Sequence, residues 1–351
     1  MKALRLLTNC FLLSSSTLLA VTASAGEFPL RADDLNLNHR YTTSGHWSGG
    51  AQEKALDIVA RRHIGNDNWS NLTADNADKK LNSSYLVYGA KIRAMESGTV
   101  VGCWRNAPEN TPGSNHQKVT EGYIGYAGNH LWVLQDDGNY TLYAHAQPGT
   151  IPSSLCPHDA TYLPTAEPKA AWTNGGRVTG GARITKGQVL GLVGNNGNSS
   201  EPHLHVHTQT GDNKPIELKF ERGQTTPFTN QKASVNATWT LLKGKALPEG
   251  EVMVWAPHSV AYWTVNNIPA ARMQSWFNHF ADSGVMPSVY ACTNNGQTYN
   301  TSWVPSSGSW YAFHGMSLTA FNNKSTELAN LGFTRYGWWY CGSVYNGIWR
   351  K

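Results

Sequence analysis

The sequence predicts a mainly β protein in two parts: a small antiparallel β unit, sheet or sandwich, followed by an α+β unit of two repeats. Three observations carry this reading. Between about residues 86 and 218, short runs rich in Val, Ile, Tyr and Thr alternate with Gly, Asn and Asp, the pattern of closely spaced strands. Beyond about residue 232 the composition shifts: nine of the 14 Trp fall in the last 119 residues, beside only seven Lys/Arg and four Asp/Glu. That stretch also repeats itself, residues 268–284 aligning with 316–332 at an offset of 48, and such periods mark tandem supersecondary units. A chain of 351 residues has room for about two domains.

Taken in order, the elements divide as follows. Lys2 and Arg5, an apolar stretch over 10–21 and Ala23-Ser24-Ala25 have the form of a secretory signal. The expected layout is a signal at 1–25, a first domain at 26–232 and a Trp-rich domain at 233–351. Strands are expected at Gly98-Thr99-Val100-Val101, at His130 to Leu134, at Tyr140 to Tyr143 and at Val189 to Val193, with surface loops over 107–120 and 153–181. In the repeats, each copy reads as an amphipathic helix stopped by Gly (Gly284, Gly332) and followed by an aromatic strand over 288–291 or 335–340.

Charge and cysteine content narrow the class. The net charge is +5, or +3 with Lys2 and Arg5 set aside, and no Lys/Arg run occurs, which argues against a nucleic-acid binder. No apolar run approaches the ~20 residues of a membrane span. The reading is a secreted protein, extracellular or periplasmic. In that setting Cys103, Cys156, Cys292 and Cys341 are expected as disulfides; of three possible pairings, Cys103 with Cys156 and Cys292 with Cys341 keep each bridge within its own half.

The residues able to do chemistry are few. His203-Leu204-His205-Val206-His207 follows the turn 194–200, and on a strand residues two apart share a face. His203 and His205 thus project together. His46 lies in a Gly-rich loop, Asp57 sits between Leu56 and Ile58, and His145 ends the strand Tyr140 to Ala144. A carboxylate between apolar residues needs a partner, and two imidazoles with one carboxylate form a ligand set of catalytic zinc.

Asp57-Ile58, 94–100, Tyr143-Ala144-His145, 184–197 and Pro202-His203-Leu204-His205 occur in the order of the motifs of the M23 peptidase family, the zinc metallopeptidases of the lysostaphin and β-lytic type. The sequence resembles that family over roughly residues 40–220. The resemblance implies a small antiparallel β fold and a secreted zinc endopeptidase, one Zn2+ per chain, acting on bacterial cell-wall peptidoglycan. It carries the zinc ligands over to His46, Asp57 and His205, and the catalytic histidines to His145 and His203. Many members place the first His four residues before the Asp, where this chain has Glu53; His46 matches the longer β-lytic spacing, with His39 and Glu53 as substitutes. No H-E-x-x-H helix supplies a glutamate base, so proton handling falls to His145 and His203. His207 reads as a packing or supporting residue. The aromatic residues of the last domain suggest a module that targets wall glycan or peptide.

Overall fold

The sequence alternates apolar and polar residues in short β-rich runs, and twelve of the strands that result join into one large antiparallel sheet. In the computed structural model residues 25–35, 39–46, 49–163, 176–233, 240–256, 263–282, 285–305 and 308–351 are described. Residues 1–24 of the expected signal, Gly284 and the middle of the 153–181 loop lie outside them. The main sheet has twelve strands among the described residues. Its path runs Thr240–Leu241, Gln224–Pro227, Val252–Trp255, His39–Gly45, Leu56–Gly65, Leu204–Gln209, Tyr140–Ala144, His130–Gln135, Gly98–Trp104 and Arg183–Ile184. The expected strands at 98, 130 and 140 are members, and the one at 189 forms a separate ribbon, Val189–Leu192 with Lys91–Arg93.

Alternation decides which face is buried. In Leu56–Gly65 the residues Leu56, Ile58 and Ala60 are buried and join Leu204, Val206, Tyr143, Val100 and Val133 in the principal core. The intervening positions, Asp57 among them, face the other way. Cys103 and Cys156 are disulfide-bonded within that core, tying the Gly98–Trp104 strand to the segment after residue 147.

The 107–120 segment is more built than a surface loop. Ala107 and Asn110 are buried, Glu109 bridges to Asn196, and residues Gln117–Thr120 form a helical turn. Its polar side chains make this possible, since Asn110 Nδ2 donates to the carbonyls of Gly197 at 2.9 Å and Ser199 at 2.6 Å.

Strand pairing also extends the large sheet beyond residue 232. Val252–Trp255 pairs with His39–Gly45 (Tyr41 opposite Val254) and with Gln224–Pro227. The two α+β repeats follow residue 256. Each is strand, helix, strand, strand: Trp263–Pro269, Ala270–Asp282, Val285–Thr293 and Thr298–Pro305, then Trp310–Met316, Leu318–Asn330, Thr334–Cys341 and Val344–Arg350. In both the last strand lies at the centre of a three-stranded sheet. The helices keep the 48-residue offset, and the second ends at Gly332 with φ +84°, the left-handed cap glycine adopts readily. Cys292 is bonded to Cys341, its counterpart in the other repeat, so the bridge joins equivalent positions. Met273, Trp276 and Phe280 of the first helix pack with Trp255, and the Arg40 guanidinium lies 4.6 Å from the Trp255 ring and 4.4 Å from that of Trp276.

Candidate metal centre

Register brings the predicted residues together. His205 lies directly opposite Asp57 on one side and opposite Ala144 on the other, and His145 is the next residue after Ala144. Gly45 pairs with Leu56, which sets His46, one residue on, beside the same strand end; its N–H donates to the Ala55 carbonyl at 3.3 Å. Antiparallel neighbours that end or begin here put His46, Asp57, His145, His203 and His205 at one edge of four adjacent strands. Parity then selects the face: cross-strand partners share a side, and positions 203, 205 and 207 alternate with core residues Leu204 and Val206.

His46, Asp57 and His205 form a group of potential ligand atoms all within 4.8 Å of one another. His46 Nε2 is 3.2 Å from Asp57 Oδ2, and His205 Nδ1 is 2.9 Å from Asp57 Oδ1. Tetrahedral zinc with bonds of about 2.0–2.2 Å separates its ligands by roughly 3.3 Å, so the three donors fit such an ion. His39 heads its strand, at the far end from Gly45, and neither it nor Glu53 enters the group.

The surroundings prepare these donors. Burial opposes ionisation of Asp57, but hydrogen bonds with His205 and His46 and the charge of His203 hold its carboxyl well below the usual range. Its hydrogen bond with Asp57 raises His46, whereas burial lowers His205 despite the same carboxylate. His205 Nε2 lies 3.0 Å from His207 Nδ1. If Nδ1 of His205 is the ligand, Nε2 carries the proton and donates to His207, which orients the ring. His207 is buried against Trp132, ring centroids 5.3 Å apart, and burial pushes it down to about 3, keeping it neutral as an acceptor.

The other two histidines flank this group. Ring centroids of His145 and His203 are 4.6 Å apart, and His203 Nε2 is 3.6 Å from Asp57 Oδ1. His145 Nδ1 donates to the Asn196 carbonyl at 2.8 Å and His203 Nδ1 to the Glu201 carbonyl at 2.8 Å. A carbonyl only accepts, so each ring in its neutral form carries its proton on Nδ1 and leaves Nε2 bare. His145 has φ +67°, a strained backbone for a non-glycine residue. Its N–H donates to Ala127 and its carbonyl accepts from Gly194, which hold it there. Burial and the neighbouring His203 and His205 lower its pKa well below the ordinary value.

Sequence reasoning missed what supports this edge. The turn after Gly194 is stitched to Glu109, Asn110 and Asn82, and Glu109 is held in turn by Tyr88, residues that carry no local motif.

The arrangement is a site of two imidazoles and one carboxylate able to hold a metal ion, with two further imidazoles beside it. No family model matches the sequence, and no curated protein does. Solved structures similar to it include the catalytic domain of the antimicrobial peptidase lysostaphin from Staphylococcus simulans, at 18% identity over 40% of this chain and 76% of that one, TM-score 0.20. A zinc-containing peptidase from Vibrio cholerae is 17% identical over 46% of this chain and 48% of its own, TM-score 0.21. Lysostaphin from Staphylococcus simulans is 15% identical over 77% of this chain and 92% of its own, TM-score 0.24. This chain thus spans about half the length of the Vibrio peptidase. At such identities the reading of the site rests on its own geometry.

Proposed function

We propose that this chain is a secreted, zinc-dependent endopeptidase that hydrolyses peptide bonds of bacterial peptidoglycan cross-links or bridges. The observation that carries it is the convergence of His46, Asp57 and His205 within 4.8 Å beside two imidazoles whose Nε2 atoms are free of the proton. Bound zinc supplies Lewis acidity toward a peptide carbonyl and lowers the pKa of a water to about 7. His46 and His205 supply neutral nitrogen donors, and Asp57 supplies the negative charge that offsets half of the ion's. His145 and His203 present basic nitrogens to the reacting groups; one accepts the proton of the attacking water at its bare Nε2, and the other, only once protonated at Nε2, donates to the oxyanion or the leaving amine.

The buried disulfide supports an oxidising location, and no helix among the described residues is long and apolar enough to cross a membrane. A division into two parts, expected from composition at residues 26–232 and 233–351, is part of the same proposal, with the two repeats after residue 256 carrying the enzyme to the wall. Supporting this, the second repeat exposes Tyr336, Trp338 and Tyr340 at 53%, 46% and 60%. Such rings stack on sugars and peptides.

The test is incubation of the purified protein with peptidoglycan, with mass spectrometry of the released fragments. New free amino groups at peptide bonds, abolished by a chelator and restored by zinc, are expected. Binding without release of fragments contradicts the enzyme reading and leaves a wall-binding protein on the same scaffold.

A further inference from the structure

Glu109 is a half-buried carboxylate that the site described above does not use, in a segment whose sequence carries no catalytic motif. Burial raises its pKa, opposed by its hydrogen bonds with Tyr88, Asn195 and Asn82. Those bonds are specific. Oε2 accepts from Asn82 Nδ2 at 2.7 Å and from the Tyr88 hydroxyl at 3.0 Å, and Oε1 accepts from the Asn195 N–H at 3.3 Å. The approach is close enough that a Cβ on Gly194 would lie 2.6 Å from Oε1, so only glycine fits there.

From Glu109 the contacts run to both flanking histidines. Asn195 Nδ2 donates to Asn82 Oδ1 at 2.9 Å, and the Ser199 hydroxyl donates to Asn195 Oδ1 at 2.7 Å. Ser199 Oγ in turn lies 3.2 Å from His203 Nδ1. On the other side, the residue after Asn195 offers the carbonyl that accepts from His145 Nδ1, and the residue before it donates its N–H to the His145 carbonyl at 2.8 Å.

We propose that Glu109, with Asn82 and Ser199, is a positioning group that fixes the 194–200 turn and through it the ring orientation and tautomer of His145 and His203. The inference rests on the peptidase reading for its consequence in catalysis, and on geometry alone for the tautomers. Glu109 presents two acceptor oxygens to three donors. A glutamine of the same shape presents one acceptor and an NH2 group, so at least one donor faces another donor. The turn then loses a bond that sets Asn195 either directly or through Asn82, while the Asp57 side of the site is untouched.

The test uses the full chain in three forms: wild type, Glu109→Gln and Ser199→Ala. Zinc content, steady-state kinetics on peptidoglycan peptides and 15N NMR of the imidazoles are measured on each. The expectation is kcat reduced about tenfold or more, the scale of lost supporting contacts, with zinc content unchanged and KM within twofold. The NMR of Glu109→Gln is expected to show His145 and His203 losing their single Nδ1-protonated form. Ser199→Ala changes little volume and carries the test should Glu109→Gln fail to fold; it is expected to disturb His203 and spare His145. Unaltered imidazole signals in the folded variants overturn the inference. Wild-type protein without chelator-sensitive hydrolysis overturns the peptidase reading instead, and the zinc-free NMR still decides the tautomer claim.

Discussion

Asp57 shows at the scale of one residue what a sequence discloses. Its place between Leu56 and Ile58 marks a strand whose neighbours turn inward, and the structure buries both while Asp57 faces His46 and His205. That much was legible, because parity and chemistry act over three residues. The support of His207 was legible only as a role, since its hydrogen bond to His205 needs both ring orientations. Replacement by alanine removes that acceptor, and His207→Ala is expected to weaken metal binding about 10–100-fold; titration with a chromogenic chelator checks it, and unchanged affinity contradicts the role. His130 offers a pH signature. It is fully buried, donates Nδ1 to the Gly128 carbonyl at 2.7 Å and is pushed by burial down to about 4 from 6.5. Below pH 6.5 the unfolded chain binds a proton that the folded chain refuses. Stability therefore falls as pH drops from about 6.5 to 4, by roughly 3 kcal/mol for this group, and is independent of it above that window. Urea denaturation at pH 7 and pH 4 is expected to show a smaller acid loss in His130→Gln than in wild type; equal losses contradict the assignment.

Among the elements, strands with clean alternation were readable and those with bulges were not. Trp263–Pro269 and Trp310–Met316 open the two repeats, yet each breaks register, between Val265 and Ile268 and between Phe313 and Met316. The extra residues scramble the period of two, so each repeat looked like helix then strand when it is strand, helix, strand, strand. The helices themselves lie where the apolar spacing put them, and both disulfides join the expected partners. The second helix begins at Ser317, whose hydroxyl accepts from the Ala320 N–H at 3.2 Å. Ser317→Ala is expected to lower stability by about 1 kcal/mol with wall hydrolysis unchanged; thermal denaturation alongside the peptidoglycan assay checks both. Glu109 belongs at this scale too, because its meaning arises only where the 107–120 segment meets the 194–200 turn.

Across the whole molecule, composition and topology change at different places. Trp enrichment begins soon after residue 232, whereas Val252–Trp255 is a neighbour of His39–Gly45 in the large sheet. Pairing over some two hundred residues leaves no local trace, which is why the change in composition and the last strand of the large sheet fall at different places. A chain ending at residue 256 is expected to fold and keep its metal, whereas one ending at 232 strips the pairing partner from the strand that delivers His46. Circular dichroism with zinc analysis distinguishes them, and equal folding of the two contradicts this account of the sheet. The central claim is that one edge of this sheet is a zinc site with separable ligands and proton carriers. Its most direct measurement is zinc per chain, by mass spectrometry, in wild type, His205→Ala and His203→Ala, each assayed for peptidoglycan hydrolysis. The account predicts about one zinc in wild type, loss of zinc and activity in His205→Ala, and retained zinc with hydrolysis reduced at least a hundredfold in His203→Ala. Full zinc content in His205→Ala would contradict it.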